Sequence, residues 1–170
     1  SLRYGAVIGT EDHAGWDAIC EVLPKSAVKV FKVSSSQLNP KAITKLASTL
    51  ATAGLERVDI SENPIGGEGG TALVDAIPSS SLKTIKIGTS FEVTMNECSG
   101  AALDCSNQKL GPGQLVVLSW WLSTEATTGV VRMDVLGNPM GDSVELLIDI
   151  FLKVERIRTM CGIEEGTVSL

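Results

Sequence analysis

The segment Leu55-Glu-Arg-Val58-Asp-Ile60-Ser-Glu-Asn63-Pro-Ile65 returns 75 positions later as Val130-Val-Arg-Met133-Asp-Val135-Leu-Gly-Asn138-Pro-Met140. Every apolar position, the asparagine and the proline match. A chain that repeats in this way must build its core from repeated units, each burying its apolar face against the next. Looser copies begin at Val28, Leu82, Gly100 and Ile157, with a faint one at Leu2, so successive starts are offset by 26, 27, 27, 18, 30 and 27. Val28, Leu55 and Leu82 are followed by Gly100, Val130 and Ile157 at offsets of 72, 75 and 75. Three units therefore form a block that has been duplicated. The shortest step covers Phe91 to Gly100, too short and too polar for a strand, turn and helix, so the third member of a block is predicted to be a strand with a reduced connection.

Within a unit, apolar residues at the fourth and sixth positions alternate as in a short strand with one buried face. The asparagine position ends the strand, because its amide can bond neighbouring backbone where the chain turns. Helical spacing follows in Ala42, Ile43, Leu46, Ala47 and Leu50, and again in Val144, Leu147, Ile148, Phe151 and Leu152. Pro40, Pro112 and the glycines at 66 to 70 mark helix starts. The core is aliphatic, since 44% of the 170 residues are hydrophobic and only 4% aromatic, as small stacked layers would require. The expected class is α/β, with parallel strands and crossover helices. A compact doubly wound α/β domain is the competing arrangement, but it does not require the Asn-Pro match between the two blocks.

The shared pattern, apolar-x-x-apolar-x-apolar-x-x-Asn-x-apolar, resembles the leucine-rich repeat proteins, specifically the ribonuclease-inhibitor-like subclass, whose units of one strand and one helix are about 27 to 29 long. The resemblance runs from about Val28 to Leu170 and is strongest at Leu55 to Ile77 and Val130 to Leu152. It implies a solenoid of five to six units, with a curved parallel sheet on the concave face and helices on the convex face. It also implies protein recognition without a shared catalytic residue. Ser36, Ser90 and Gln108 depart from the consensus asparagine. The whole chain reads as a single repeat segment of a longer protein. It opens on Ser1, and Thr167-Val-Ser-Leu170 aligns with Gly100-Ala-Ala-Leu103, in mid-repeat.

Gly67-x-Gly69-x-x-Ala72 satisfies a dinucleotide-binding fingerprint. Its duplicate keeps only Gly141, so the unit folds without the extra glycines and they are read as structural. His13 and Cys20 could share a helix face as a nucleophilic pair, but Asp12, Asp17 and Glu21 surround them with acid, which disfavours a thiolate. Cys105 and Cys161 read as small core residues, and four scattered cysteines fit reduced thiols in an intracellular, cytoplasmic protein. A single histidine and no convergent carboxylates leave no metal site or cofactor to expect. A net charge of −6 argues against nucleic acid, and the absence of any long uninterrupted apolar run argues against a membrane span.

Two surfaces are candidates for a protein partner. On the exposed sheet face the fifth position reads Lys32, Asp59, Lys86, Asp104, Asp134 and the second reads Lys29, Glu56, Lys83, with Arg57, Glu62 and Arg132 alongside. Opposite charges should alternate across three neighbouring strands, as a structural ladder or as a binding surface. On the helices, Leu115, Leu118 and Leu122 and then Val144, Leu147, Ile148 and Leu152 are assigned inward. That leaves Val117, Trp120, Trp121, Leu146 and Ile150 as an outward apolar patch, unless the helices pack more tightly or rotate to hide it. The expected function is a protein-interaction module or scaffold without catalysis, self-associating or docking onto neighbouring repeats or another protein. The alternatives are a ligand-sensing or regulatory domain of a larger signalling protein, and a nucleotide-binding or thiol enzyme.

Overall fold

The computed structural model describes residues 14–96, 98, 100–141, 144–161 and 163–164, without the side chains of 144, 150, 163 and 164. The faint unit at Leu2, the histidine of the His13 and Cys20 pair, and Thr167–Leu170 lie outside the described residues. In chain order the elements are α1 (Ala14–Val22), β1 (Val30–Lys32), α2 (Pro40–Leu50), β2 (Arg57–Asp59), α3 (Gly66–Ala76), β3 (Thr84–Lys86) and β4 (Glu92–Thr94), followed by β5 (Ala102–Asp104), α4 (Pro112–Leu122), β6 (Arg132–Asp134), α5 (Val144–Lys153), β7 (Thr159–Met160) and β8 (Ile163–Glu164).

The chain is α/β, but the expected leucine-rich repeat solenoid, with one curved parallel sheet running through all units, is overturned. The strands form two separate four-stranded sheets, ordered β1-β2-β3-β4 and β5-β6-β7-β8. The first three strands of each are parallel and the fourth is antiparallel. The cause is local. After β3 the chain reverses at Gly88–Ser90, Ile87 and Gly88 donate to the Phe91 carbonyl, and β4 takes the sheet edge beside β3. With that edge occupied, β5 has to begin a second sheet with β6. The connection anticipated as merely short is thus a hairpin, and β7 and β8 close the second block in the same way.

Within each sheet the register follows the sequence repeat. Val30 faces Arg57, Arg57 faces Thr84 and Ala102 faces Arg132, each pairing a residue with its equivalent one unit further along the chain. Phe31, Val58, Ile85 and Val93 line the inner face of one sheet, and Leu103, Met133 and Met160 that of the other. Both columns belong to one apolar core that extends from Trp16 to Ile157. Trp16 on α1, which the repeat pattern did not single out, is buried, donates from its indole N–H to the Ala42 carbonyl at 2.8 Å, and lies 6.2 Å from the Phe31 ring.

The asparagines tie each unit to the one before it. Asn63 Oδ1 accepts from the Ser36 and Leu38 amides, and its Nδ2 donates to the carbonyls of Val33, Ile60 and Ser61. Asn138 repeats the arrangement with Gln108, Leu110, Cys105 and Val135. Ser36 needs no amide of its own, because Asn63 reaches back to it. Gln108 stands at the break between the sheets, where its Oε1 accepts from the Ser90 amide and hydroxyl. Its extra methylene lengthens the reach of an asparagine across that gap.

The helical layer continues across the break in the sheet, and glycine is the reason. A Cβ at Gly70 on α3 would lie 2.4 Å from the Gly113 carbonyl oxygen on α4, and one at Gly113 would lie 2.2 Å from the Gly66 carbonyl oxygen. A Cβ at Gly69 would press on Ile43 of α2 at 3.2 Å. These residues let three helices approach backbone to backbone. The glycine-rich stretch is a packing seam: of the two glycines of the dinucleotide fingerprint, Gly69 is buried against α2, while Gly67 is open in the first turn of α3.

Candidate functional site

On the outer face of the first sheet the predicted ladder forms in part, since Lys32 makes no ion pair among the described residues. Lys32, Asp59 and Lys86 stand in register, and Lys86 Nζ lies 3.7 Å from the Asp59 carboxylate. The other Asp59 oxygen accepts from the Ser61 amide and hydroxyl. Glu56 sits between Lys29, at 3.6 Å, and Lys83, and the Lys83 hydrogen bond is the main cause holding its carboxyl below the usual range. Arg57 pairs with Glu92 on β4, and Glu62 pairs with Lys109 at 2.8 Å, joining the two blocks. Most of the predicted sheet-face residues therefore have ionic partners within the chain.

The second sheet lacks the alternation. Asp104 and Asp134 face each other in register. Each accepts from the backbone amide two positions on, in Ser106 and Leu136, and the Ser106 hydroxyl and amide hold the Asp104 carboxyl below its ordinary value. Arg132, beside Ala102 and Thr159, makes no ion pair among the described residues.

The helix patch is rearranged. Val117 and Trp121, expected to face outward, are buried, because the glycine seam draws α3 against α4. Trp121 packs edge-on against Phe91 with ring centroids 6.0 Å apart and donates to the Thr94 carbonyl at 2.7 Å, so it plugs the gap between the sheets. Trp120 is half-buried, Leu146 is exposed, and the Ile150 side chain lies outside the described residues. Leu115, Leu118, Leu122 and Leu147 point inward as expected, whereas Ile148 and Leu152 do not.

Trp120 instead walls an open cleft of about 440 Å³ at the outer mouth of the sheet break, with Ile77, Pro78, Leu82 and Met95 opposite and Glu125 as its charged residue. A second recess, lined by Met95, Glu125, Ala126 and Thr128, adjoins it. The sequence pointed to Trp120 through its place on an over-apolar helix. The remaining walls were not foreseen, because they arise only where β4 interrupts the sheet. Beyond the cleft, Arg156 donates to the Leu122 and Thr127 carbonyls and the Thr127 hydroxyl, placing a cation at the C-terminus of α4.

Cys20 is buried, and burial pushes its thiol up to about 11. Burial also raises Cys105 and Cys98. Among the described residues no group of three or more histidines, cysteines or carboxylates could hold a metal ion, and no helix is long and apolar enough to cross a membrane. No protein-family model matches the chain, and no curated protein matches it.

Proposed function

We propose that the chain is a protein-interaction module without catalytic activity, and that the cleft at the sheet break receives an apolar side chain of a partner protein. The observation that carries this is Trp120, half-buried on the wall of a largely apolar cleft that Trp121, anchored to the Thr94 carbonyl, also lines. Aromatic anchors in desolvated pockets dominate many protein interfaces, and a preformed pocket lowers the ordering cost of binding. The resemblance of residues 55–65 and 130–140 to the leucine-rich repeat consensus supports the same direction. The high thiol pKa values and the structural role of the glycines weigh against the thiol and nucleotide enzymes. The unpaired cysteines accord with an intracellular, cytoplasmic setting.

The test places a photo-crosslinking amino acid at Ser80 or Thr124 on the rim of the cleft. Crosslinks to one discrete protein should be suppressed by excess unlabelled chain and not by a Trp120→Ser chain. Equal competition by both, or no discrete crosslink, overturns the proposal.

A further inference from the structure

The duplicated repeat shows that α5 turns a different side to solvent from the earlier helices. Leu46, Leu73 and Leu118 occupy one repeat position and Leu50, Ile77 and Leu122 another, and all six are buried. The residues at those positions in α5, the duplicates of Leu73 and Ile77, are Ile148 and Leu152, which are 49% and 73% exposed. α2 is flanked by α3 and α3 by α4, whereas no helix lies beyond α5 among the described residues. The inward side of α5 is supplied by Leu147 with Phe151, each one position before the equivalent of the inward Leu118 and Leu122 of α4, so α5 is turned about its axis and Ile148 and Leu152 form an exposed apolar flank.

The charges on that flank indicate what can cover it. Where α4 carries Leu115 and Ser119, both buried, α5 carries Glu145 and Asp149, both exposed. Asp149 is shared with Lys153 at 3.0 Å, and Glu145 makes no ion pair among the described residues. A second copy of this chain is a poor fit. Its own α5 would bring the same two acids. Its α1, the apolar flank at the other end of the layer with Ile19 and Val22 exposed, carries Asp17 and Glu21. Like charges across a contact oppose association, while opposite ones favour it.

We propose that the far flank of α5 docks an amphipathic helix of a partner protein, one that sets lysines or arginines beside aliphatic residues and lies against α5 as α5 lies against α4. This rests on the reading of the chain as a protein-interaction module, but it uses a surface distinct from the Trp120 cleft. The test titrates isotopically labelled chain with two synthetic helical peptides of identical leucine spacing, one bearing lysine and the other glutamate at the flanking positions. The lysine peptide should shift amide resonances of α5, bind at least tenfold tighter than the glutamate peptide, and weaken at least tenfold with Ile148→Ser plus Leu152→Ser. Glu145→Lys plus Asp149→Lys should reverse the preference, a gain that misfolding could not produce. Trp120→Ser should leave the titration unchanged, so loss of the cleft proposal and loss of this one are told apart. Shifts that avoid α5, equal affinity for both peptides, or a concentration-dependent dimer abolished by the serine pair would overturn it.

Discussion

Gly70→Ala and Gly67→Ala are the same chemical change in the same helix, yet the packing assigns them opposite signs. An added Cβ at Gly70 would sit 2.4 Å from the Gly113 carbonyl oxygen and 2.9 Å from Val116 Cβ. Favourable contacts of this kind lie near 3.5–4.0 Å, so α3 and α4 would have to part by roughly 1 Å, and a gap of that size forfeits about a quarter to a half of each dispersion contact along the seam. Overpacking of this sort costs about 1–3 kcal/mol, and the better helix propensity of alanine offsets about 1 kcal/mol of it. The net loss is about 0–2 kcal/mol, or up to about 8 °C in Tm for a chain of this length. A Cβ at Gly67 meets nothing within 4 Å, so only the propensity gain remains, about 0.5–1 kcal/mol and about 1–4 °C upward. Thermal and urea unfolding followed by circular dichroism measure both. If Gly70→Ala melts at or above Gly67→Ala, the close approach of α3 and α4 is not what those glycines are for.

Asn63→Ala strands two backbone amides and three carbonyls at once, and should destabilise the chain by about 2–4 kcal/mol in urea unfolding, with Asn138→Ala showing the same direction. A loss at Asn63 too small to resolve in urea would show that these bonds are readily replaced by water. The folded Cys20 thiol ionises near 11 against an ordinary 9.0, so between those values the unfolded chain gives up its proton first and stability falls as pH rises. Mass-mapped thiol labelling at pH 8 should accordingly leave Cys20 and Cys105 unmodified in the folded chain and modify both in urea; rapid labelling of the native protein would contradict their burial.

How much was legible in the sequence differs from one feature to the next. The ladder of Lys32, Asp59 and Lys86 could be read directly, because parallel strands one repeat apart place equivalent residues side by side. The burial of Val117 and Trp121 could not, although the glycines responsible were in view. Their effect depends on which helices they separate, and Gly70 meets Gly113 from a different block of the chain. The cleft was hidden for a related reason: Ile77, Met95 and Trp120 are brought together only by the hairpin that splits the sheet.

Taken alone, the sequence determined the α/β class, the strand and helix period, the duplication of the three-unit block and the aliphatic core, since each follows from spacing within a unit and spacing is a local property. Tertiary structure decided whether the sheet would be continuous, which side chains of α4 would reach solvent, and where an open cleft would form. Those outcomes turn on competition for a single strand edge, won by β4 because its hairpin closes over only a few residues before β5 can reach β3. That contest leaves a tryptophan plugging one side of the gap and another walling the cleft at its mouth.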